Sequence, residues 1–272
     1  MSEKPPSASA WKRYWNLFWM FRRLELMRIM HNRGELLFWT IISTMWAVLN
    51  MFGVATYVSI NGQLAGWTLP EVFILLSLYA MFDMFFWDWM SPNMDEFKRL
   101  VNTGELSSLL MKPIDIQVML MIQKNGYANV LRFVLGSVSI IYWLHILGRS
   151  LSPLSLLSMS FSFGCAFIFI YNLWFVIATL SLWADRLENV NEIMPQLRQF
   201  WWVPNGVYQG FLSTFFTVIL PIGLITTVPA ETLLGRSNPV TQLTLLICAA
   251  VSVILSRAFL HFSLHKFQGV GG

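Results

Sequence analysis

From Leu36 to Ile60 the chain carries no Asp, Glu, Lys or Arg, and comparable apolar runs recur along its length. A helix of about 20 apolar residues crosses the hydrocarbon of a bilayer, because it satisfies its own backbone hydrogen bonds where water is absent. The runs predict six spans, at about 36–60, 72–89, 127–147, 154–183, 201–228 and 240–260. Composition agrees, with 56% of the residues hydrophobic and only 12% charged. A soluble domain carries about a quarter charged residues. The 13 tryptophans suit the bilayer surface, where an indole is half apolar and half wet. The expected class is an all-α integral membrane protein with six transmembrane helices.

The basic residues between spans set the orientation. Seven precede the first span, Lys98, Arg99, Lys112 and Lys124 follow the second, and Arg132 lies at the start of the third. Arg186 and Arg198 follow the fourth, and Arg257 and Lys266 close the chain, leaving only Arg149 and Arg236 for the other side. Cytoplasmic loops hold the excess of Lys and Arg, so both termini are expected in the cytoplasm. The fifth span has two readings. The simpler takes Trp201–Val228 as a span broken or kinked at Pro204 and Pro221, leaving Glu188, Glu192 and Arg198 outside the membrane. The other takes 187–206 through a protein-lined interior, with 211–228 a re-entrant hairpin broken at Pro221.

The first ten residues read as a polar tail. Lys12, Arg13, Arg22, Arg23, Arg28 and Arg33 then precede any long apolar run, so a cleavable signal peptide is not expected. Residues 11–33 mix aromatics with these cations, as does a helix lying flat in the membrane interface. The chain should turn inward at Gly34, opening a transmembrane domain over 34–262 with a tail at 263–272. The longest internal cytoplasmic segment, 91–124, opens at Ser91-Pro92. Two short helices are expected in it, Met94–Val101 and Glu105–Met111, separated by Asn102-Thr103-Gly104 and ended by Pro113. That arrangement suits a docking element. Phe97, Leu100, Leu106 and Leu109 are its candidate anchors, Gly104 its turn, and Glu105 and Lys112 its charges.

Nothing in the chain reads as an active site. There is no GxxxxGK[ST] loop for ATP, no HExxH pair and no GxSxG elbow. Asp83 and Asp88 lie about 140° apart round a helix, so they do not face one reacting bond. His261 and His265 share a helix face but have no carboxylate near them, and Cys165 and Cys248 sit in apolar runs as packing residues. No catalytic, cofactor or metal residue is therefore expected, and no nucleic-acid partner. The charges inside the membrane are more informative. Asp83 and Arg132 lie at similar depth on the antiparallel second and third spans, and a lone charge in hydrocarbon is costly, so they are expected to pair.

Short motifs in order carry a family likeness. Gly104-Glu105-Leu106-Ser107, then Leu109-Leu110-Met111-Lys112-Pro113, follow the second span; Pro229-Ala230-Glu231-Thr232-Leu233-Leu234-Gly235 and Asn238-Pro239-Val240 precede the last. The chain resembles the permease subunits of the ABC-2 superfamily, in the branch whose ATPase and partner permease are separate chains. Ser107 stands where that family usually has Asp. The resemblance implies a half-transporter in a prokaryotic cytoplasmic membrane, joined to two ATPase subunits that bind ATP and Mg, and to a second permease, identical or paralogous. It also implies export, with 11–30 as the interfacial helix and the segment after the second span as the coupling helix. Membrane lipids are the remaining partners. A gradient-driven transporter or channel would instead show midplane acids and an inverted repeat, and a membrane transferase would show a catalytic cluster. Neither signal is present.

The charge asymmetry is directly testable. Cysteines placed singly at Gln63 and Ser237 of a cysteine-free variant should react with an impermeant thiol reagent in intact cells. Reaction at Asn102 instead would reverse the orientation.

Overall fold

The computed structural model describes residues 8–112, 114–182 and 192–266. Those residues are helical throughout, with no strand among them beyond one isolated bridge between Leu64 and Trp67. Helix α1 covers Ala8–His31 and α2 Arg33–Asn61, so the turn into the membrane falls at Asn32, not Gly34. Helix α3, Leu69–Phe85, begins in the turn after α2, where the Glu71 carboxylate accepts from the backbone N–H of Thr68 at 2.9 Å. A π turn, Phe86–Met90, then leads directly into α4, Ser91–Asn102.

That continuity corrects one expectation. Ser91-Pro92 does not open a loop, and Met94–Val101 is not a separate helix; the second span runs unbroken from Leu69 to Asn102. Proline lacks the N–H that would bond the carbonyl four residues back and crowds that carbonyl. Here the carbonyl of Asp88 is taken instead by the N–H of Gly126, at 2.5 Å. The π turn just ahead of Pro92 widens the helix where the ladder is interrupted. A short helix α5, Leu106–Leu110, follows Gly104, whose φ of 73° makes the turn. Helix α6 covers Ile116–Gln123 and α7 covers Val130–Ile146.

Helix α8, Pro153–Thr179, extends by a 3-10 turn to Leu182. After it come α9, Ile193–Leu197, and α10, Phe211–Thr214, with α11 over Leu224–Leu233. The last helix, α12, spans Pro239–Lys266, reaching into the expected tail. Among the described residues, four helices are long and apolar enough to cross a membrane: Arg33–Asn61, Leu69–Asn102, Pro153–Leu182 and Pro239–His265. Helix α7 is shorter, at 17 residues, about 25 Å at 1.5 Å per residue, so it sits at the lower limit for a span.

Residues 201–228 do not form one continuous helix. A 3-10 turn at Asn205–Val207, the left-handed Gly210 and a bend of 76° between Phe211–Val218 and Pro221–Leu233 interrupt it. The described chain from 192 to 206 instead runs along the bundle. Arg198 bonds Asp83, Trp201 packs on Phe82 and Phe86, and Gly206 lies beside Ala65 in the α2–α3 turn. Residues 187–191 of the alternative crossing lie outside the described residues. Irregular backbone at this depth needs partners from protein, and side chains supply them. The Thr226 hydroxyl donates to the Trp201 carbonyl, and the Asn205 N–H donates to the Thr227 hydroxyl at 3.0 Å. Helix α11 is buried nearly all round, against α3 and α8.

The helices sort into two ends. At one, Arg236 meets Glu71 at 3.2 Å and lies over Trp67, while Arg149 caps the carbonyl of Leu234. At the other, α6 is a polar hub. Tyr14 of α1 accepts from the N–H of Asp115, and Arg22 of α1 donates to the carbonyls of Ile122 and Lys124 at 2.7 and 3.1 Å. Trp89 donates to the Met121 carbonyl, and Arg257 of α12 pairs with Asp115 at 3.3 Å. Gln117 donates to Asn172 of α8 at 3.0 Å and to Ser256 of α12 at 3.1 Å. The outward face of α1, including Trp15, Trp19, Leu24 and Met30, is left exposed.

Helices α3 and α7 touch closely at Gly136. A methyl added there would lie 2.8 Å from the Ser77 carbonyl oxygen and 2.9 Å from Met81 Cγ. Gly136→Ala should therefore lower stability by about 1–3 kcal/mol, the usual cost of overpacking. Gly53→Ala, whose added methyl would meet nothing within 4 Å, serves as the control. Thermal unfolding in one detergent compares them; equal midpoints would mean that α3 and α7 do not approach at Gly136.

Candidate functional site

Asp83 is 1% exposed, in the middle of the Leu69–Asn102 helix. Two guanidinium groups hold it. Arg132 of α7 bonds one carboxylate oxygen through Nη1, and Arg198, from the chain after α9, bonds the other at 2.6 Å. The same Nη1 of Arg198 donates to the Tyr79 hydroxyl, and its guanidinium lies 5.7 Å from the Tyr79 ring, 5.3 Å from Trp87 and 5.9 Å from Phe86. Arg132 reaches Asn129 Oδ1 at 3.3 Å, and Asn129 gives its backbone N–H and its amide to Asp88 at 2.9 and 2.8 Å. One polar chain thus runs from Asp88 to Tyr79 through a bundle otherwise made of apolar side chains.

The arrangement follows from where the residues start. Asn129 caps α7, so Arg132 stands one turn inside, level with Asp83 on the antiparallel helix. Charged both in sign and in number, two acids against two arginines, the cluster is balanced when both carboxylates are ionised. In a low-dielectric interior such pairs are worth little over apolar packing, but a single unmatched charge is costly. The sequence signals only Asp83 and Arg132. Arg198 lies outside the membrane in the simpler reading of its stretch and in a protein-lined interior in the other, and neither reading gives it a partner; the aromatic pair Trp201-Trp202 just after it marks a chain about to be buried.

The cytoplasmic segment differs from expectation. Phe97, Leu100, Leu106 and Leu109 are buried in the protein's own core, Phe97 stacked on Phe175 at 5.5 Å. They pack α5 on α4 and α4 on α8, so in this structure they face inward and not toward a partner's groove. Outward-facing residues are Glu105, Leu110, Met111 and Lys112, with Met111 82% exposed. Pro113 lies outside the described residues. Arg99 clasps the tip, meeting Glu96 at 2.9 Å and Glu105 at 3.0 Å across Gly104. Its hydrogen bond holds the Glu105 carboxyl group below the usual carboxylate range. That half of the clasp is therefore complete at neutral pH and opens only as acid protonates Glu105, below the ordinary value of about 4.3.

Among the described residues, no group of three or more His, Cys, Asp and Glu is placed to share a metal ion. Cys165 and Cys248 are both free thiols. A family model described as "ABC-2 family transporter protein" matches residues 44–271. No curated protein and no solved structure matches the chain.

The charge cluster has a measurable hierarchy. Asp83→Asn strands two arginines and should cost about 3–5 kcal/mol, more than Arg132→Gln, which leaves Arg198 on the carboxylate. The double variant should lose less than the sum of its parts. Unfolding midpoints in detergent test this, and additivity within about 0.5 kcal/mol would show that the residues are not coupled.

Proposed function

The chain belongs to the ABC-2 family of transporter proteins, and from that premise we propose that it is the membrane subunit of an ATP-driven exporter. It is a permease of an ABC transporter, made of apolar helices; in this reading ATP hydrolysis belongs to its partner subunits. In the proposed complex it contributes half of the translocation path in a prokaryotic cytoplasmic membrane. A second permease, identical or paralogous, supplies the other half, and two separately encoded ATPase subunits bind ATP and Mg.

The observation that carries the coupling role is the tip after Gly104. Around it every large apolar side chain turns inward, yet Leu110 and Met111 project into solvent between the Arg99–Glu105 clasp and Lys112. Two exposed apolar side chains ringed by charges match the anchor-and-rim pattern of a docking site. A push on this tip has a route inward. Helix α4 continues without a break into the second span, and α6 beyond the tip is bonded to α1, α8 and α12.

The gradient-driven alternative needs an intramembrane carboxylate free to load an ion. Asp83 is already held between two guanidinium groups, which favours a structural role for it.

Leu110→Asp with Met111→Asp should leave the protein inserted and folded, yet weaken co-elution of the ATPase at least tenfold and lower transport-coupled ATP hydrolysis in proportion. Ser155→Asp, at the start of α8, is the control. Retained co-elution and activity, with no cross-link from residue 111 to an ATPase, would make the tip a plain connector.

A further inference from the structure

Helix α2 stands mostly outside the bundle, with only Val54 and Val58 of its residues buried. It does not close fully on its neighbours. Between α2, α3 and α7 lies a small cavity bordered by Asn50, Tyr79 and Arg132, with Ala47, Met51 and Ala80 completing its wall. The two alanines leave the space that longer side chains would fill, and it has room for about one water-sized group.

The polar groups at this cavity have unused capacity. Arg132 makes both of its hydrogen bonds through Nη1, and its Nε is buried without a partner in a side chain only 7% exposed. The Tyr79 oxygen accepts from Arg198, which leaves its own O–H proton to donate. Asn50 gives its amide N–H to the Trp46 carbonyl at 2.8 Å, which leaves Oδ1 able to accept. The wall thus offers two donors and one acceptor. A hydroxyl group uses that set in full, since its oxygen accepts twice and its proton is donated once. A carboxylate or phosphate fits less well, because Asp83 and Asp88 already offset Arg132 and Arg198, and a third anion beside Asp83 would be unmatched.

We propose that this cavity binds the hydroxyl group of an amphiphilic molecule entering from the bilayer, its alkyl part lying along the apolar exposed side of α2. Binding rests on side-chain chemistry alone. Only the further role, as the port where cargo leaves the membrane, rests on the exporter reading.

The probe is an octanol bearing a photoreactive diazirine, compared with the same diazirine on octane without the hydroxyl. Each is irradiated with the protein in the membranes that express it, and labelled peptides are read by mass spectrometry. The octanol should label residues 47–51 and 76–80 about fivefold more than the octane does, the ratio one neutral hydrogen bond supplies. In Ala47→Phe, which fills the space from the exposed helix, that ratio should fall to about one while ATPase co-elution persists. Equal labelling by the two probes, or an unchanged ratio in Ala47→Phe, would overturn the site without touching the exporter reading. Retained ATPase co-elution and activity in the tip variant, with the probe ratio intact, would do the reverse.

Discussion

Asp83 is the point on which the bundle turns. A carboxylate in hydrocarbon must be matched, and here it is matched twice, by arginines from two other parts of the chain. The pairings set α7 level with α3 and draw the chain after α9 in from the aqueous side. Once Arg198 is seated, Trp201 falls between Phe82 and Phe86, and the following turn reaches Ala65. Helix α11 is then enclosed by protein, and its Thr226 and Thr227 hydroxyls bond the backbone of Trp201 and Asn205. Little of that path follows from hydropathy. It follows from the cost of leaving one acid alone.

The same accounting explains which features the sequence displays. Helices α2, α3, α8 and α12 are announced by long apolar runs, because each satisfies its backbone locally and needs only length. Asp83 and Arg132 are visible because charge within such a run is rare. Arg198 is not, since the residues before it look like any solvated connector and its partner lies far off in sequence. Pro92 misleads for a related reason. A proline reads as a helix end, but the N–H of Gly126, from a distant extended segment, bonds the carbonyl it leaves behind. Phe97, Leu100, Leu106 and Leu109 mislead in the opposite direction. Their spacing describes an amphipathic face, and a face seen in one dimension does not say whether the surface it covers belongs to another protein or to α8.

The end of the bundle that holds α6 shows how α1 is fastened. Arg22 takes the last carbonyls of α6, where a helix has no partners of its own, and so joins α1 to the hub. Glu25 lies within reach of Arg28 at 3.0 Å and Lys124 at 3.9 Å, on the same side. Trp15 and Trp19 of α1 remain outside this junction, exposed. Helix α1 is in this way tied to a segment that is also bonded to α8 and α12.

The double pairing of Asp83 also bears on how the protein is made. Ribosomes deliver the chain from its N-terminus, so α3 and α7 exist before residue 198 has been synthesised. During that interval Asp83 and Arg132 can neutralise each other, and the two helices can leave the translocon together with that pair already matched. The stretch holding Arg198 comes later and is poorly suited to enter lipid by itself. Its way in is an acid already waiting inside, with one oxygen still open. Biogenesis therefore has a built-in sequence, in which an early hairpin prepares the place that a reluctant later segment fills.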